Sequence, residues 1–287
     1  RDLNERRVPV LDWGCYNLFR LQDLDLWTET HFIPGAYRWD EMTFVQRDAW
    51  VWMPDVWLRF EWRPAYGRIL TLELEAVLAY GAFNASLAPT EGVTAPTTDR
   101  RDILQYGGVL RADYTMGGLS FGLETGFASG DESPGLSVVR DSNLTTTTDS
   151  GATALRANSR LSNFAFDRDY HVDLLMFRRI IGAVTNAMYF KPWVQYDLFE
   201  GDEDSLGARL EIIYARALEP DGTPGRSANY GVELDLRLFY EEQNRFLATV
   251  EWGILFPFEA FDFIDTNGTR SSAKWGTVIQ ARVHWLF

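Results

Sequence analysis

The stretch Trp275-Gly276-Thr277-Val278-Ile279-Gln280-Ala281-Arg282-Val283-His284-Trp285-Leu286-Phe287 decides the fold. In an extended chain Trp275, Thr277, Ile279, Ala281, Val283, Trp285 and Phe287 share one face, and Gly276, Val278, Gln280, Arg282, His284 and Leu286 share the other. The first face suits hydrocarbon and the second carries Gln, Arg and His. A soluble sheet rarely sets its more polar side inside, so the pattern predicts a strand of an all-β, membrane-crossing sheet.

The same period of two recurs along the chain. Tyr230, Val232, Leu234, Leu236, Leu238 and Tyr240 alternate with Gly231, Glu233, Asp235, Arg237 and Phe239. At a strand's rise and tilt the two tyrosines are expected about 25 Å apart along the membrane normal, at two aromatic girdles. Segments 70–80, 119–127, 206–214 and 246–256 repeat the alternation, each with its charged residues on one face. Repetition of this kind is the pattern of an antiparallel up-and-down transmembrane β-barrel.

Connections supply a second test, because such barrels alternate short inner turns with long outer loops. Short turns are expected at 64–67, 116–117, 201–204 and 242–244, and long loops at 29–49, 84–102, 131–157, 220–227 and 259–272. With a first strand in 13–25, and a weak hairpin of 160–166 and 170–177 turning at Asp167-Arg168, the count is about twelve strands, within a range of 10–14. A short helical element over 177–184 is the alternative for part of that hairpin. Residues 1–287 read as a single domain with no linker or repeat of fixed period.

The 287 residues are 46% hydrophobic and 24% charged with a net charge of −14, an average that soluble proteins and polar-lumen barrels share. The 15% aromatic content favours the barrel, since barrels gather aromatics at both interfaces. A large soluble β-sandwich is the competing architecture. No run approaches the roughly 18 to 20 apolar residues of a spanning helix, so a membrane crossing would be by strands. The acidic balance argues against nucleic acid as a partner. The opening 1–7 holds no apolar signal core, and the expectation is that an export signal has been lost. Cys15 has no internal disulfide partner and is expected as a buried or lipid-facing structural thiol.

The ending resembles the C-terminal signal of bacterial outer-membrane β-barrels, with Ile279, Val283, Trp285 and Phe287 as its apolar positions. That resemblance implies a Gram-negative outer-membrane location, with the barrel-insertion machinery and outer-membrane lipid as partners. The stretch 229–262, containing Tyr230-Gly231-Val232-Glu233-Leu234-Asp235-Leu236 and Trp252-Gly253-Ile254-Leu255-Phe256-Pro257, resembles the closing hairpin of alginate-export-type barrels. Glu124-Thr125-Gly126-Phe127-Ala128-Ser129-Gly130-Asp131 and Tyr170-His171-Val172-Asp173-Leu174-Leu175-Met176-Phe177-Arg178 resemble segments of an uncharacterised deltaproteobacterial barrel family. Alginate exporters are larger and line their path with basic residues, so the resemblance bears on fold and location more than on a substrate.

Projected inward, the strands offer Arg59, Glu61, Glu73, Glu75, Arg111, Asp113, Glu124, Lys191, Arg209, Glu211, Glu233, Asp235, Arg237, Glu251 and Arg282 as lumen-lining residues. Their mixed signs fit a ladder of ion pairs packing the lumen, and also a selective aqueous path. Glu233, Asp235 and Arg237, with Glu251 and Arg282, are the leading residues for either role.

Enzymatic chemistry finds little support, and no catalytic residue is expected. The three histidines, His31, His171 and His284, lie in no His-x-Ser strand motif. Asp169-Tyr170-His171 resembles the Asp-x-His pair of barrel proteases, but on this topology it falls near an inner turn, with His171 a hydrogen-bonded turn residue. Asp131, Glu132, Asp141, Asp149, Asp262 and Asp265 match no calcium-loop spacing and read as solvated, and 142–153 reads as a mobile loop. No cofactor or metal is expected.

Two functions remain open. One is porin-like passage or export of a small or polymeric solute. The other is a non-conducting structural barrel docked in a larger cell-envelope complex, favoured by the aromatic outer residues Trp27, Phe32, Tyr37, Trp39, Phe44 and Trp50.

Overall fold

A computed structural model describes residues 7–27, 43–87, 97–132, 160–200, 204–242, 245–265 and 268–285. The protein is almost entirely antiparallel β. Its strands are β1 (Val10–Trp27), β2 (Thr43–Ala65), β3 (Arg68–Leu87), β4 (Thr97–Met116), β5 (Leu119–Ala128), β6 (Arg160–Leu161), β7 (Ala187–Glu200), β8 (Asp204–Arg216), β9 (Asn229–Glu242), β10 (Phe246–Pro257), β11 (Phe263–Ile264), β12 (Arg270–Ser271) and β13 (Gly276–Trp285). Ten long strands follow one another in the order β1-β2-β3-β4-β5-β7-β8-β9-β10-β13, an up-and-down meander. No ladder joins β1 to β13 among the described residues.

Glycine makes two of the tight connections. Gly67 and Gly117 adopt φ values of 65° and 59°, which residues with a Cβ rarely take, and Gly117 N–H donates to Gly67 O at 2.9 Å. Both turns lie where short inner connections are expected, and all the long connections emerge at the other end.

The sheet is inverted relative to a soluble one. Leu72, Leu74, Phe121, Leu123, Leu210, Ile212, Val250, Trp252, Ile279, Val283 and Trp285 are exposed, while Glu124, Lys191, Glu233 and Asp235 are buried. Trp252 is 43% exposed and Glu233, one strand away, is 0%. Among the described residues no helix is long and apolar enough to cross a membrane. Phe287, the last residue of the expected insertion signal, lies outside the described residues, as do most of 131–157, all of 142–153, and Phe32, Tyr37 and Trp39.

Two expectations are corrected. The first is the hairpin of 160–166 and 170–177, which does not form, so the ten long strands fall at the lower end of the expected range of 10–14. Arg160 and Leu161 pair parallel to Asp102 and Ile103, Ala165 makes a single antiparallel bridge to Thr185, and a π-helical turn spans Met176–Ile181. Val172 to Phe177 are all buried, consecutively rather than alternately, which no half-exposed strand allows. Asp173 accepts the N–H groups of Phe177 and Arg178, competing for the backbone that a ladder would need. Losing both strands preserves the parity, since everything between β5 and β7 becomes one long connection.

The second concerns Tyr230, expected at a girdle. The β8–β9 register runs Ala215 to Gly231 and then Arg216 to Asn229, so Tyr230 bulges out of the ladder and turns inward. Its side chain is fully buried against Phe177 and Phe261 and donates to Asn186 O at 3.2 Å. Gly231 has φ 144°, and a Cβ there would meet Phe256 O at 2.3 Å, so the bulge requires glycine.

Candidate functional site

The charged face divides into two halves of different chemistry. Over β2, β3, β4, β5 and β7 one residue per strand stands directly opposite the next, in the order Arg59, Glu73, Arg111, Glu124, Lys191. Their signs alternate, and they pair at 3.3, 3.6, 3.6 and 3.0 Å. Opposite charges across strands support each other, so this half is an ion-paired belt. Glu61 extends it beside Arg59 and Arg63.

Between β8 and β9 the register sets like charges together, whereas between β9 and β10 it sets Arg237 opposite Glu251. Arg209 faces Arg237, and Glu211 faces Asp235. Such like-charge pairs disfavour the sheet, so neighbouring groups must compensate them. Arg209 pairs with Glu211 and stacks over the Trp193 ring, 3.9 Å from its centroid. Arg282 reaches Glu251 at 3.2 Å, and Gln280 donates to the same carboxylate at 2.6 Å. Arg237 makes no ion pair among the described residues, and its Nε is buried without a hydrogen-bond partner.

The segment 162–186 crosses this face from inside. It is anchored at its entrance by Asp131, whose carboxylate accepts from Ser162 N and Oγ at 3.1 and 3.0 Å. Tyr170 donates to Glu124 at 2.9 Å and accepts from Arg111 at 2.8 Å, which fastens it to the belt. Glu233 accepts the N–H groups of Leu174, Leu175 and Met176 at 3.1, 2.7 and 2.8 Å. Arg179 donates to Gln280 at 3.3 Å, so the segment reaches β13 and the sheet curls around it. Val172, Leu175, Met176, Phe177 and Val184 pack on Ala128, Ala187, Tyr189, Ile213, Ala215, Tyr230 and Leu255 to form the core.

Below the segment a cavity of about 340 Å³ is lined by His171, Asp173, Arg178, Lys191, Arg209, Glu211, Asp235, Arg237, Glu251 and Arg282, among others. His171 therefore sits on the concave face and not at a tight inner turn. Burial, then the adjacent Glu233 carboxylate, push the Asp173 carboxyl up. Burial, then the nearby Arg282, lower the Arg178 guanidinium. Among the described residues no group of three His, Cys, Asp or Glu side chains is placed to hold a metal.

Of the inward residues read from the sequence, Arg59, Glu73, Arg111 and Glu124 form the belt, and Arg209, Glu211, Asp235, Arg237, Glu251 and Arg282 line the cavity. Glu233 lies beneath the segment's backbone as its anchor, while Glu75 borders a separate, smaller cavity. Sequence reasoning missed the segment's role, although the unbroken apolar run Leu174-Leu175-Met176-Phe177 beside Asp173 carried the signal. Cys15 is exposed on β1, with Asn17 donating to its sulfur at 3.2 Å.

No protein-family model matches this chain, and no curated protein matches it either.

Proposed function

We propose that this protein is an outer-membrane β-barrel that passes a small polar solute through a lumen narrowed by segment 162–186. The carrying observation is the inversion of the sheet, with Leu, Phe and Trp exposed on one face and charged residues buried on the other. Hydrocarbon is the surrounding that makes such an outer face favourable. Passage, rather than a filled interior, is supported by the charged cavity below the segment and by Arg237, whose charge is left without an ion pair there. A constriction with wall arginines and acidic partners selects solutes by charge and size.

A non-conducting barrel docked in an envelope complex is the second reading, supported by the ion-paired belt and the seated segment, both of which fill space. Single-channel recording in planar bilayers separates the two. Salt-dependent openings whose ion selectivity shifts in Arg237→Gln or Arg282→Gln support passage. Electrical silence of the folded protein, together with co-purifying envelope proteins, supports docking.

A further inference from the structure

A second cavity, of about 160 Å³, lies on the other side of the segment, between it and β3 and β4. Three aromatic rings of the segment line it. Phe164 and Phe166 meet at 6.0 Å and 72°, and Phe166 and Tyr170 at 5.5 Å and 76°, so successive rings stand nearly perpendicular and present walls in different directions. Gly107 makes the fit possible, because a Cβ there would lie 2.4 Å from the Phe164 ring. The remaining polar lining is acidic. Glu75 and Asp167 border the cavity, and no cationic side chain does.

Neither carboxylate is committed to a cation. Glu75 has no ion pair among the described residues, and there the Asp167 carboxylate accepts only the N–H of Asp169, at 2.8 Å, within its own turn. Arg111 lies against Tyr170, 5.1 Å from the ring centroid, but Glu73 and Glu124 balance its charge. Apolar aromatic walls with unpaired carboxylates at the rim match one ligand class. The rings attract positive charge through their faces and shed water, and the carboxylates supply the counter-charge. The room equals that of roughly five water molecules, which suits a compact headgroup.

We propose that this cavity binds a small organic cation of the alkylammonium class, held by Phe164, Phe166 and Tyr170 with Glu75 and Asp167 as counter-ions. The site does not depend on passage through the lumen, since it uses the opposite side of the segment and a different set of wall residues. The protein's net charge of −14 adds a general attraction for cations.

Calorimetric titration of the folded full chain in neutral detergent tests the site, with choline as the probe and 3,3-dimethylbutan-1-ol as its neutral isostere. Choline is expected to bind saturably and about tenfold more tightly than the alcohol, and Glu75→Gln to weaken choline by about fivefold with little effect on the alcohol. Phe166→Leu should weaken both. Glu75 is exposed, so its substitution leaves folding intact if the aromatic variant does not fold. Equal affinity for choline and the alcohol overturns the proposal, as does an unchanged affinity in Glu75→Gln or the absence of saturable choline binding to folded protein.

Discussion

Glu233 on β9 accepts the N–H of Leu175 at 2.7 Å, across 58 residues of chain, and its other oxygen accepts Met176 N–H at 2.8 Å. With Leu174 N–H as a third donor, one buried carboxylate holds the backbone where the helical turn begins. Bonds to an ionised acceptor are stronger than neutral ones. Glu233→Gln keeps the size but turns an amide N–H toward a backbone donor. The expected loss is about 2 to 4 kcal/mol, read as a lower denaturant midpoint of the refolded protein. An unchanged midpoint contradicts the anchoring role.

Glu124 serves Lys191 and Arg111 at once, and both Glu124 and Lys191 are buried. Glu124→Gln leaves the ammonium without its counter-charge and is expected to destabilise by about 3 kcal/mol. Adding Lys191→Met in the same chain should restore part of that loss, because the orphaned charge is gone. A double variant no more stable than Glu124→Gln contradicts the orphaned-charge account, and Lys191→Met alone completes the cycle that measures the coupling.

Gly231→Ala forces a side chain into a φ of 144° and against Phe256 O. The strain and the clash together are expected to lower stability by about 3 kcal/mol or more, with loss of the ordered Tyr230 ring environment in near-ultraviolet circular dichroism. Alanine at Gly117 strains only the backbone, since nothing lies within 4 Å of its ideal Cβ, and should cost less. The reverse ranking counts against the bulge.

Asp173 carries the pH dependence of the seated segment. Its folded value is raised, first by burial and then by Glu233, so the folded form holds the proton more readily than the unfolded one. Its burial therefore carries no charge penalty below the ordinary carboxylate value of about 4, and the penalty grows as pH rises from there through the raised value. Hydrogen exchange at the amides of Leu174 to Arg178, corrected for intrinsic rates, should show easier opening toward neutral pH. Asp173→Asn should flatten that profile, and an equally steep profile in the variant assigns the effect to another group.

Much of the architecture was legible because strand alternation is local. The exposed rows on β3, β5, β8, β10 and β13 follow from side chains two apart pointing the same way, and the glycine turns follow from positive φ. The inward residues were legible for the same reason, down to Glu233 and Arg237. What each does was not. Arg59, Glu73, Arg111, Glu124 and Lys191 are single residues on separate strands, and only the register makes them one alternating belt.

By itself, then, the amino-acid sequence determined an all-β meander with one apolar and one charged face, because the period of two is written in adjacent residues. Tertiary structure alone decided that there are ten long strands, that Tyr230 turns inward, and that segment 162–186 seats on Glu233. These outcomes depend on register and on contacts between residues distant in the chain. A buried run such as Leu174 to Phe177 is compatible locally with strand or helix, and the choice falls to whichever partner satisfies its backbone.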